Sequence, residues 1–233
     1  LDNLTAKGSG SAMTLNSDFE STGDGTLTLW NSKTITTGNG DVTVTAWDVD
    51  LQGSVAAGTA SVTVHGAQIS QTFGLGASSQ NMHITDAEVG RTTAAGGLTV
   101  GSSDTGSMVV DGITDSNSDT IATLTLKATK HAQLVTFQTG ASSFNKGIVV
   151  QTMGGVVLSE SVTTRSSAVL VWTGTGTLTV QSTKQLSTTG QVLTITADDV
   201  DLDGGVSSGT ASASVSCYSY EQSVGIGDVT REL

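Results

Sequence analysis

The segment TLTLWNSKTITTGNGDVTVTAWDVDLQG, from Thr26 to Gly53, returns 151 positions later as TLTVQSTKQLSTTGQVLTITADDVDLDG, from Thr177 to Gly204. The match runs without a gap from Gly23–Gly76 onto Gly174–Gly227, with 24 of 54 aligned positions identical. The shared positions mix apolar residues, polar residues and the glycine pairs Gly53/Gly204, Gly58/Gly209, Gly74/Gly225 and Gly76/Gly227. Self-similarity of this length means either duplicated domains or a repeat architecture. Duplicated domains would leave the second one only 60 residues, 174–233. In a solenoid each coil touches only its neighbours, so a repeat can stop at any coil and keep its core. The expectation is one continuous β-solenoid over residues 1–233. It would hold about one and a half copies of the 151-residue unit, with 23–173 as the first copy and 174–233 as a partial second.

The segments inside the repeat alternate with a period of two. In Asp41–Trp47, Val42, Val44 and Ala46 oppose Thr43, Thr45 and Trp47. The pattern recurs at Gly25–Trp30, Ala60–Val64, Leu98–Val100, Ile121–Leu126, Gln133–Phe137, Ala168–Trp172, Thr177–Val180, Val192–Ala197 and Ala211–Val215. Alternation carried by β-branched residues predicts half-buried strands. Between them lie Gly, Ser, Asn and Asp, the residues of turns. The chain therefore reads as all-β, a parallel β-helix with coils of irregular length. At about 22 residues per coil and ~4.8 Å per strand, it would make about ten coils and a rod of roughly 50 Å. One repeat would advance roughly 33 Å.

Composition agrees with a ladder along most of the chain. There are 29 Gly and no Pro, and Pro would remove a ladder hydrogen bond. Aromatics make up 4% of the residues, which suggests a narrow bore filled by small aliphatics. Trp30, Trp47 and Trp172 should face outward by parity.

The strings GLTVGSSDTGSMVVDGIT (Gly97–Thr114), LTLKATKHAQLVTFQTGASSFNKGIVVQ (Leu124–Gln151) and GVVLSESVTT (Gly155–Thr164) resemble the repeats of very large filamentous-haemagglutinin-like exoproteins. QTFGLGASSQNMHITDAEVGRTTAAGG (Gln71–Gly97) fits the same register. The resemblance implies a right-handed parallel β-helix, secretion, and a role as an adhesin or surface fibre. It brings no catalytic residue with it.

Charge narrows the partners. The formal net charge is −12, with 9 Lys and Arg spread along the chain. That repels nucleic acid and anionic membrane, which need a basic surface. No apolar run approaches the ~18 residues of a membrane span. Cys217 is the one cysteine, so an internal disulfide is excluded; it reads as a small semi-buried residue or as a cross-link between chains. The chain begins at Leu1 without a signal peptide, the expected look of a processed product or of a piece of something longer.

Candidate chemistry is sparse. Asp199, Asp201 and Asp203 supply oxygens of the kind calcium takes, although alternating Asp on a strand equally suits a solvated face. Only Asp48/Asp199 and Asp50/Asp201 recur in both copies; Asp198 aligns with Trp47 and Asp203 with Gln52. No Lys, Arg or His accompanies these acids, so acid/base catalysis on a glycosidic bond lacks its partners. His65, His83 and His131 have no metal-ligand spacing. The GLG at Gly74–Gly76 and GIG at Gly225–Gly227 read as repeat-matched corners. Asn3-Leu4-Thr5 is a glycosylation sequon, with Asn3 as acceptor.

These observations predict a non-enzymatic structural or adhesive segment of an extracellular or cell-surface fibre, without a cofactor. It would stack end to end with further copies through open coils and could take a glycan or surface ligand. An ice- or surface-binding array is the alternative raised by Thr26/Thr28, Thr43/Thr45, Thr177/Thr179 and Thr194/Thr196, and needs them on one flat face. A carbohydrate-binding or carbohydrate-active β-helix is the other, and needs a groove lined with acids.

Overall fold

The computed structural model describes residues 2–220. Within them the chain winds through nine coils over three faces. The first coil holds β1 (Leu4–Thr5), β2 (Met13–Asn16) and β3 (Thr26–Leu29). The second holds β4 (Thr34–Thr36), β5 (Val42–Ala46) and β6 (Asp48–Leu51). The third holds β7 (Ser54–Gly58), β8 (Ser61–Gly66), β9 (Phe73–Gly76) and β10 (Met82–Ile84). A short helix, α1 (Asp86–Gly90), leads into β11 (Thr92–Ala94), β12 (Gly97–Ser102) and β13 (Met108–Asp111) of the fourth coil. The fifth crosses its first face in residues 113–121 and continues as β14 (Leu124–Ala128) and β15 (Leu134–Phe137). Then follow β16 (Ser142–Phe144), β17 (Ile148–Thr152) and β18 (Gly155–Leu158), and β19 (Val162–Thr164), β20 (Val169–Trp172) and β21 (Thr177–Val180). The eighth coil holds β22 (Gln185–Thr188), β23 (Leu193–Thr196) and β24 (Asp199–Leu202), and the ninth β25 (Gly205–Ser207) and β26 (Ala213–Ser216).

All strand pairs are parallel. The second face is one sheet of nine strands, β2-β5-β8-β12-β14-β17-β20-β23-β26. Register piles like on like. Leu15, Val44, Val64, Val100, Leu126, Val150, Val171, Ile195 and Val215 form one inward file from the first coil to the ninth. From Val44 to Ile195 each side chain is covered by the coils above and below and is buried, while Leu15 at one end is half-buried and Val215 at the other is exposed. A one-residue slip would turn the whole file to solvent, which is why the alternation holds the register.

The repeat is reproduced in backbone detail at its corners. A Cβ on Gly53 would lie 2.2 Å from the Lys33 carbonyl oxygen, and one on Gly204 2.3 Å from that of Lys184. Lys33 and Lys184 are themselves 151 positions apart, as are the hydrogen bonds Gly53 N to Leu29 O and Gly204 N to Val180 O. Only a residue without a side chain lets one coil turn this tightly against the next.

Three expectations need correction. The coils run longer than about 22 residues, since successive members of the inward file are separated by 20 to 36 residues; nine coils take up the described residues, and the 151-residue repeat advances six coils, about 29 Å rather than roughly 33 Å. The bore also admits aromatics: Phe73, Phe137 and Phe144 are buried. Phe137 stands between Val110 and Leu158, Phe73 between Met82 and Met108, and Phe144 against Thr164, so smaller or flexible neighbours leave room for each ring. Gly74–Gly76 is no corner, since it lies within β9; its counterpart Gly225–Gly227 is outside the described residues.

The third face breaks the simple stacking order. Its strands run β3-β6, then β10-β9-β13-β15-β18-β21-β24. The third coil lays β9 beside β13, then doubles back through residues 77–81 to place β10 on the β6 side. A Cβ on Gly74 would lie 1.8 Å from the Ser78 carbonyl oxygen, so the return loop passes directly over it. This face carries one strand more than its coils require, while the first and second faces pair the third and fourth coils directly.

Candidate functional site

Side chains close the seam between β6 and β10, where no ladder forms. The Asp48 carboxyl accepts the His83 N–H at 2.8 Å. Glu88, buried on α1, accepts the Leu51 N–H at 2.7 Å and holds the Thr85 N–H and hydroxyl through its other oxygen. Arg91 donates to the Leu51 carbonyl at 2.8 Å. Both main-chain groups of Leu51, the end of an unpaired strand edge, are therefore satisfied, one by Glu88 of α1 and the other by Arg91, the residue that caps it. Nearby, the buried amide of Gln71 donates to the carbonyls of Ala46 and Trp47 and accepts the Gln68 N–H. Asp48 and His83 stand out in the sequence, as a recurring acid and as a histidine, but not as partners; Glu88, Arg91 and Gln71 do not stand out. Thr85-Asp86-Ala87-Glu88 carries the signature of a capping box, which the helix forms. Gln71 had one signal, its recurrence as Gln222.

The outward surface of the second face is a file of hydroxyls. Thr14, Thr43, Thr63, Thr99 and Thr125 stack in register and give way to Val149 and Leu170 before Thr194 and Ser214. The neighbouring outward positions are mixed: Asn16, Thr45 and His65 at one end, and Lys127, Gln151, Trp172, Thr196 and Ser216 at the other. The four Thr pairs expected on one face are divided. Thr43/Thr45 and Thr194/Thr196 lie on the second face, whereas Thr26/Thr28 and Thr177/Thr179 lie on the third, paired with Asp48/Asp50 and Asp199/Asp201.

The calcium candidates do not converge. Asp199 and Asp201 take alternate positions of β24 and Asp203 follows it, exposed. Among the described residues no group of three or more His, Cys, Asp or Glu is placed to hold a metal ion. Asp198 instead binds the N–H and hydroxyl of Ser219, each at 2.7 Å. Asn3 is exposed, and its side-chain oxygen accepts the Thr34 N–H at 3.0 Å. His65 meets the Thr45 hydroxyl at 3.1 Å, His83 reaches the Gly76 carbonyl at 2.7 Å, and His131 is exposed. Cys217 is free and half-buried. Trp30 is exposed, while Trp172 is half-buried and meets Tyr218 edge to face at 5.1 Å. A void beside Phe144, lined by Ser118, Ile121, Leu124, Lys146 and Gly147, is about the size of one water.

Charge pairs mark the corners between the third and first faces. Lys184 meets Glu160 at 2.6 Å, and Lys33 meets Asp2 at 2.9 Å. The lysine hydrogen bond holds each carboxyl below its ordinary value.

Comparison of the chain with known protein families, with characterised proteins and with solved structures found no match.

Proposed function

We propose that this chain is a structural and adhesive segment of an extracellular or cell-surface fibre, joined end to end through the open edges of its coils. The uninterrupted inward file from Leu15 to Val215 carries this reading. Any coil added below the first continues the same core, because half-buried Leu4, Met13 and Leu15 already line that edge. An unpaired strand edge is a template for further strands. The resemblance of Gly97–Thr114 and Leu124–Gln151 to filamentous-haemagglutinin-like repeats supports the same assignment. Electron microscopy of the native material should show filaments with strands perpendicular to the long axis. Isolated, monodisperse rods at high concentration would refute it.

The file of five threonines favours a second reading, in which the second face binds a regular hydroxylated or crystalline surface, ice included. Thermal hysteresis that disappears on Thr63→Lys would support it; no hysteresis in the parent chain would remove it.

A further inference from the structure

The first coil is a hidden copy of the seventh. The 151-residue alignment starts only at Gly23, yet the ladder extends the equivalence upstream. Leu4 pairs with Ile35 as Val162 pairs with Leu186, and Ile35 and Leu186 are repeat partners. Met13 pairs with Val42 as Val169 pairs with Leu193, again repeat partners. The Met13 and Ser17 N–H groups bond to Asp41 and Thr45, as those of Val169 and Thr173 bond to Val192 and Thr196.

The residues agree once the register is known. Asp2-Asn3-Leu4-Thr5-Ala6-Lys7 matches Glu160-Ser161-Val162-Thr163-Thr164-Arg165: acid, polar, aliphatic, Thr, small, basic. The roles agree too. Asp2 and Glu160 each pair with the repeated lysine, Lys33 or Lys184. Asn3 and Ser161 each accept, through the side chain, the N–H that follows that lysine, from Thr34 or Gln185. The offset at these positions is 158 rather than 151, because the first coil has longer turns before β2 and β3. An ungapped alignment therefore misses it.

In the seventh coil, the edge turned away from the eighth rests on β16, β17 and β18 of the sixth. The Ser161 carbonyl accepts the Ser142 N–H, and Arg165 reaches Asp115 in the fifth coil at 3.1 Å. The matching edge of the first coil presents Asn3, an exposed Lys7 and the half-buried Leu4, Met13 and Leu15. Met13 and Ser17 donate toward β5, so alternation turns the N–H groups of Thr14 and Asn16 the other way, to the open edge.

We propose that the β1–β2–β3 edge docks a coil of the β16–β17–β18 type, presented by an upstream copy of the same repeat, so that the fibre has a period of six coils. This deepens the fibre reading and rests on it, but it names the partner and the phase. Six strand spacings set the period at about 29 Å on the first and second faces.

The test is a tandem chain in which residues 2–159 precede residues 2–233, with Ser159 joined directly to Asp2. Hydrogen exchange at Thr5, Thr14 and Asn16 of the downstream copy should slow by at least about 100-fold relative to the parent chain. Exchange of Thr43, already inside the stack, should be unchanged. Unchanged exchange at the three edge amides, or a tandem that does not fold as one unit, overturns the proposal. A second variant addresses the equivalence within the full chain alone: Asp2–Lys7 is replaced by the sequence of Glu160–Arg165. It should fold with an unchanged melting temperature, and loss of the first coil's protection would count against the match. Both readouts are independent of whether native filaments are found, so failure of the fibre reading is seen separately.

Discussion

Replacing Glu88 by Ala tests how the third face accommodates its extra strand. Glu88 is 6% exposed and receives three donors: the Leu51 N–H, the Thr85 N–H and the Thr85 hydroxyl. Leu51 is itself buried and has no ladder partner on that side, so its N–H is left unsatisfied in a dry place. An orphaned buried donor costs about 1–3 kcal/mol. Loss of the capping interaction adds about 1 kcal/mol. Thr85 is only half-buried, and water recovers part of its loss. The expected total is about 2–4 kcal/mol. Glu88→Gln keeps an oxygen for Leu51 but turns an amide N–H toward a second donor, so it should cost about half as much. Each coil touches only its neighbours, so the effect should be local. Hydrogen exchange at Leu51, His83 and Val89 should accelerate strongly, while that at Val171 and Ile195 stays as in the parent. Urea unfolding followed by fluorescence gives the global cost. If Glu88→Ala lies within about 0.5 kcal/mol of the parent and leaves Leu51 protected, the carboxyl does not hold the seam.

Gly53→Ala and Gly204→Ala should each destabilise by about 1–3 kcal/mol in thermal melts, since the new methyl meets a fixed carbonyl of the preceding coil; a neutral effect at both would refute the close approach. Thr164 is fully buried and its hydroxyl has no partner among the described residues, and Ala6 stands at the matching position. Thr164→Val should therefore be neutral or stabilising by up to about 1 kcal/mol, and a clear loss would reveal a hidden partner. The Lys184 hydrogen bond holds the Glu160 carboxyl below its ordinary 4.5, and Lys33 holds that of Asp2 below 3.8. Depressed carboxyls support the fold fully above these values and progressively less as the pH falls beneath them. Glu160→Gln should therefore flatten the acid side of the melting-temperature profile and leave its slope above neutral pH unaltered.

The periodic parts of the molecule were the legible ones. Val42–Ala46, Leu124–Ala128 and Thr177–Val180 show their inward and outward residues by alternation alone, because side chains on a strand change sides at every step. The repeated Gly53 and Gly204 announced a shared corner before its geometry was known. The short first-face strands such as β4, β11 and β19 were missed, since three residues are too few to show a period. Glu88 and Gln71 were missed for a different reason. Their partners, Leu51 and Ala46, lie 37 and 25 positions away, and nothing local reveals an unpaired edge. The four Thr pairs look alike in one dimension yet fall on two faces, because the turns before each pair decide which side of the coil it reaches.

The chain's own order of residues determined that it would coil, which residues would face the axis, and that the coils would repeat. Those properties follow from alternation and from self-similarity, both of which are local or directly countable. Only the folded arrangement decided that the third coil would double back, that three phenylalanines would enter the bore, and that residues 2–7 would stand where residues 160–165 stand. Each of these depends on which coil lies above and below, and a coil's neighbours are 20 to 36 residues away by amounts that its turns alone set.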